Sequence, residues 1–66
     1  MKIYKHFKGN LYTLIIESID QETGEELVTY ACCETLKVYT RKKSEFHENI
    51  ERPEYNYKGP RFELIL

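Results

Sequence analysis

Residues able to do chemistry crowd one short stretch, Tyr4-Lys5-His6-Phe7-Lys8-Gly9-Asn10-Leu11-Tyr12. Aromatic faces at Tyr4, Phe7 and Tyr12 could form a platform for a planar or cationic group, with His6 as a hydrogen-bonding switch. The competing reading is architectural. Phe7 and one tyrosine would then fill a small core, and His6 would satisfy a neighbouring strand or turn.

A second constellation is Tyr39 with Arg41, two residues apart and so on one face of a strand. Such a pair could stack on a base or clamp a carboxylate or phosphate with the guanidinium fork. Alternatively Arg41 pairs with an acid such as Glu26 on a neighbouring strand. The run Arg41-Lys42-Lys43, with Lys2, Lys5 and Lys8, could outline a phosphate-tracking face, as single-strand binders on small barrels do. The acidic balance of the chain favours the plainer reading, a solvated turn before a helix.

Cys32, Cys33, His6 and His47 complete the inventory of metal-ligating types. Adjacent strand residues point to opposite faces, and no Cys-x-x-Cys spacing exists, so no metal site is expected. A disulfide between neighbours closes no loop, so both thiols are expected reduced, one packed inside and one outside. The chain has no Gly-x-Ser-x-Gly, phosphate loop or His-Glu-x-x-His, and the expectation is a protein that is not an enzyme and needs no cofactor.

These side chains need elements to hold them. Residues 3–7 form a short aromatic strand and Gly9-Asn10 a turn. Leu11 to Ile19 is a long strand, rich in β-branched residues and without a breaker. Asp20 to Glu25 is a polar hairpin turn around Gly24. Thr23-Gly24-Glu25-Glu26 matches a helix capping box, but Leu27 to Cys33 has strand composition. Glu34-Thr35 makes another turn and Leu36 to Arg41 a further strand. Ser44 to Ile50 fits one or two helical turns, with Ser44 as N-cap and Phe46 and Ile50 on one face. Arg52 to Pro60 holds both prolines and reads as a loop pinned by Tyr55 and Tyr57. Arg61 to Leu66 is a closing strand paired with the first. The expected architecture is all-β: a small, strongly bent barrel of about five strands with one short helical turn near residues 44–50.

The sequence resembles the bacterial family known as domain of unknown function 1653, whose pattern opens Tyr-x-His-Phe-Lys-Gly-x-x-Tyr. Tyr4, His6, Phe7, Lys8, Gly9 and Tyr12 match all its positions. Glu22-Thr23-Gly24-Glu25-Glu26, Val28-Thr29-Tyr30 and Arg61-Phe62-Glu63 follow later family motifs. A third motif, Trp-Val-Arg-Pro-x-x-Met-Phe, is altered: Tyr39, Arg41 and Phe46 keep its register, but Tyr39 replaces tryptophan, Lys42 proline and Glu45 methionine. Cys32-Cys33-Glu34-Thr35 stands where the family has a Leu-Tyr-Gly turn. The resemblance implies an SH3-like barrel and no known activity.

Sixty-six residues, 41% hydrophobic, suffice for one domain over residues 1–66 with one small core. So thin a margin leaves room for a homodimer that hides further apolar area. A formal net charge of −1 argues against a general polyanion binder. No apolar run of about 18 residues exists to span a membrane, and no signal segment opens the chain, so a cytoplasmic location is expected. The functional expectation is a small binding module that recognises a peptide, a protein or a small anionic or planar ligand. Its surface would join Tyr4, His6, Tyr12, Tyr39 and Arg41. Single-stranded RNA binding and a purely structural or oligomerisation role are the alternatives.

Overall fold

The computed structural model describes residues 1–66. It is all-β, with strands β1 (Ile3–His6), β2 (Leu11–Ile19), β3 (Glu26–Cys32), β4 (Val38–Lys42), β5 (Asn49–Arg52), β6 (Tyr57–Pro60) and β7 (Phe62–Leu64). One helical turn, α1 (Lys43–Phe46), joins β4 to β5, and a 3-10 turn, Pro53–Tyr55, joins β5 to β6. Five strands form an antiparallel sheet in the order β4-β3-β2-β1-β7, and β5 and β6 form a separate hairpin. The edges β4 and β7 are not paired with each other. Phe7, in the turn after β1, stacks on Tyr57 of the hairpin and meets Tyr55 edge to face.

The turns follow from their residues. Gly9 takes φ +108°, a conformation other side chains resist, and its N–H donates to the His6 carbonyl at 2.7 Å. Asp20 caps the β2–β3 turn, its carboxylate accepting the Glu22 and Thr23 amides at 2.9 and 3.1 Å. A β-bulge between Leu14 and Ile16 resets β2. Before it Tyr12 and Leu14 pack on the core; after it Glu17 sits opposite Val28 and reaches Lys43 at 2.9 Å. Ile15, Ile16 and Ile19, which make this strand apolar at both parities, are exposed.

Phe46, Phe62, Tyr4, Tyr30 and Val28 form the core. Phe46 stacks on Phe62 with centroids 4.3 Å apart, and Tyr4 meets Phe46 edge-on at 4.9 Å. β7 pairs with β1, as expected of a closing strand.

The chain between Ser44 and Pro60 departs from the expectation. The helix starts one residue earlier and stops at Phe46. Lys42, not Ser44, is its cap, and it makes no side-chain capping bond. Ile50 does not share a helix face with Phe46; it is buried from β5. The stretch read as a loop is mostly the β5–β6 hairpin. Tyr57 stabilises it by donating its hydroxyl proton to the Pro60 carbonyl. Glycine suits position 59, where φ is +156° and a Cβ would lie 3.1 Å from the Tyr57 oxygen.

Candidate functional site

His6 ends β1 and begins the Gly9 turn. Its Nδ1 accepts the Lys8 amide at 3.2 Å, which places the neutral ring's proton on Nε2. The ring lies 4.3 Å from Phe7 and 4.9 Å from Phe62, centroid to centroid. Burial, then the positive charges of Arg41, Lys8 and Arg61, push its pKa down to about 4. At neutral pH His6 is therefore an uncharged hydrogen-bond donor.

The three cations that depress His6 line the same hollow, about 380 Å³, together with Arg52. Phe7 and Tyr55 supply aromatic wall, and Glu54 lines it too. The chain has only three arginines, and all three are here. Lys8, Arg41 and Arg52 have no carboxylate within 4.0 Å, whereas Arg61 pairs with Glu48 at 2.9 Å.

Each guanidinium is braced from behind. Arg41 donates from Nε to the Tyr30 hydroxyl at 3.3 Å and lies 5.9 Å over Phe62. Arg52 lies 5.8 Å over Phe7 and donates to the Glu51 carbonyl at 3.1 Å. Arg61 donates from Nε to the Glu45 carbonyl at 3.2 Å. Lys8 sits over both Phe7 and Tyr55. Rings and carbonyls thus fix the cations while leaving donors unspent.

The five residues singled out from sequence separate into layers. Tyr4 is sealed in the core at 6% exposure and offers no open face. Tyr12 is half-buried, edge-on to Tyr30 and Phe62 at 5.5 Å each, and burial lifts its phenol above the usual tyrosine value. Tyr39 stands 44% exposed beside Tyr30 and lines a neighbouring hollow with Arg41 and Glu45. His6 and Arg41 share the cationic hollow, and Arg41 borders both hollows. Glu26 pairs with Lys43 instead of Arg41.

Sequence reasoning missed Arg52, Arg61 and Tyr55 at this site, and placed Phe7 in the core. Phe7 is half-buried, stacked on Tyr57 at 5.8 Å with its edge toward the hollow's other ring, Tyr55, at 5.4 Å. The available signal was residue choice. A chain with seven lysines and three arginines has spent guanidinium sparingly, and guanidinium is the group that binds oxyanions with a fork.

Other groups do not compete for this role. A hollow of about 440 Å³ beside α1 is lined by Glu25, Glu26, Lys43, Ser44 and His47. Its lysine is already held by Glu17 and Glu26. Cys32 is buried and Cys33 exposed. Hydrogen bonds from the Thr35 hydroxyl and amide hold the Cys32 thiol below its ordinary pKa. These cysteines and the histidines do not gather into a metal-holding cluster. No helix is long and apolar enough to cross a membrane.

A family model described as protein of unknown function (DUF1653) matches residues 2–64. The chain belongs to that family. No curated protein and no solved structure matches it.

Proposed function

We propose that this domain is a binding module for a small anionic ligand, held in the hollow where His6, Lys8, Arg41, Arg52 and Arg61 meet. The observation that carries the reading is the convergence of all three arginines and Lys8 on one concavity with only Arg61 ion-paired. Gathering like charges without partners costs stability, and a bound anion removes that cost. His6 supports binding rather than turnover. Its Nδ1 is taken by the Lys8 amide and its Nε2 carries the proton, so neither nitrogen offers a free lone pair to a substrate.

The layout also weighs against a strand-tracking nucleic-acid surface. Lys42 and Lys43 are paired with Glu25, Glu17 and Glu26, so the run Arg41-Lys42-Lys43 does not offer three free cations along a path.

The reading is tested by following backbone and His6 ring resonances while sulfate, acetate or inorganic phosphate is added at low ionic strength. Shifts should localise to residues 6–8, 41, 52–55 and 61. Arg41→Ala and Arg52→Ala should each weaken binding about tenfold or more, as expected for loss of a charge-assisted hydrogen bond. Unlocalised shifts, or affinity indifferent to both substitutions, would overturn it.

A further inference from the structure

Given that reading, on which this inference rests, we infer that the ligand presents a phosphate monoester in its dianionic form. Charge balance comes first. The four cations of the hollow face two carboxylates, Glu54 in its wall and Glu48 on Arg61. The excess is two positive charges. A carboxylate or a phosphodiester, each carrying one negative charge, leaves half of that excess; a phosphate monoester at neutral pH carries close to two.

Donor geometry points the same way. A planar carboxylate is satisfied by one guanidinium fork. Here the donors come from four separate segments: the turn after β1 with His6 and Lys8, β4 with Arg41, the end of β5 with Arg52, and the residue before β7 with Arg61. Donors that arrive from several directions suit the three terminal oxygens of a tetrahedral group. The bracing hydrogen bonds leave both terminal nitrogens of Arg41 free, and Nε and one terminal nitrogen of Arg52. The wall beside them includes Tyr55, half exposed at 50%, so the group esterified to the phosphate would lie against an aromatic edge open to solvent.

The test is a titration of the full chain at pH 7.5 and low salt with five probes: inorganic phosphate, a nucleoside 5′-monophosphate, a 5′-phosphorylated trinucleotide, dimethyl phosphate and acetate. The two monoesters and inorganic phosphate should bind at least tenfold tighter than dimethyl phosphate and acetate. Among these three, inorganic phosphate alone matching the others identifies free phosphate as sufficient. A gain with the mononucleotide assigns the ester group to the Tyr55 wall, and a further gain with the trinucleotide assigns the ligand to a nucleic-acid end. Arg41→Lys keeps the charge and loses the fork, so it should erase most of the preference. Arg52→Gln, at the end of β5, provides the same readout should the Arg41 variant fold poorly. Equal affinity for all five probes, still lost on substituting Arg41 and Arg52, would overturn the phosphate assignment and leave the anion site standing. Binding of none would remove both.

Discussion

Protonating His6 should destabilise the fold, and the size of the effect follows from its surroundings. The ring packs on Phe7 and Phe62 and faces Arg41, Lys8 and Arg61. Burial and these charges move its pKa from an ordinary 6.5 to about 4. In the unfolded chain the same imidazole gains a proton near 6.5. Between those values the unfolded state binds more protons, so stability rises with pH. The contribution is complete above pH 6.5, is lost as pH falls toward 4, and levels off below. The full displacement corresponds to about 3 kcal/mol, and solvent screening at the rim of an open hollow reduces it to about 1–2 kcal/mol. Urea unfolding at pH 7.0 and 4.5 measures it. His6→Asn is the control, since its side-chain oxygen can still accept the Lys8 amide and does not titrate. Glu17 and Asp20 also have lowered pKa values and lose stabilisation in acid, but they do so equally in both proteins. The difference between the two pH slopes therefore isolates His6. Equal slopes, or a His6 midpoint near 6.5 by NMR, would refute the reasoning.

Phe46→Ala removes the ring stacked on Phe62 and met edge-on by Tyr4; it should cost about 3–5 kcal/mol by urea denaturation, which in so small a domain leaves it largely unfolded. Gly59→Ala forces a methyl against the Tyr57 oxygen at positive φ; the expected loss is about 1–2 kcal/mol, and Tyr57→Phe in the same background should relieve part of it. Lys43→Met breaks solvent-screened pairs with Glu17 and Glu26 and should leave the urea midpoint nearly unchanged. A thiol reagent should modify one cysteine per chain quickly, the exposed Cys33, and reach buried Cys32 only on unfolding; two fast equivalents would contradict the packing.

What could be read from the sequence was what local chemistry determines. The Gly9 turn, the Asp20 hairpin, β2, β3 and the pairing of β7 with β1 all announce themselves through turn residues or β-branched runs. The β5–β6 hairpin did not. Its strands are four residues each, interrupted by Pro53 and ended by Pro60, and their pairing depends on Tyr57 hydrogen-bonding to a residue three positions on. Tyr4 looked like a ligand-facing ring because its neighbours did. The core it enters is built by Phe46, which is 42 residues away in the chain. The candidate site was half visible for a similar reason. His6 and Lys8 lie together in sequence, and Arg41 carried its own signal. Arg52 ends β5 inside the unrecognised hairpin and Arg61 directly follows it, so nothing local marked them as neighbours of His6.

That placement also bears on why the hollow sits where it does. The five-stranded sheet and the β5–β6 hairpin share no strand pairing, so a seam must run between them. A seam in so small a protein can be filled with apolar side chains or left polar. Part of it is filled by rings, where Phe7 stacks on Tyr57 of the hairpin and meets Tyr55 edge to face. Beside these rings, near the turn after β1, the residues facing each other are cations from both sheets: Lys8 and Arg41 from the first, Arg52 from the second, and Arg61 at the crossing to β7. If their only role were to cover the aromatic rings beneath, lysine stems or methionine would serve without the mutual repulsion. An anion bound there would neutralise that repulsion and tie the hairpin to the sheet. Ligand should then raise the unfolding midpoint in proportion to the logarithm of its concentration, and Arg52→Gln, which severs the hairpin's share, should flatten that dependence while leaving the ligand-free stability nearly unchanged or slightly raised. A ligand-free protein strongly destabilised by Arg52→Gln would instead mean that Arg52 is held there by its packing on Phe7.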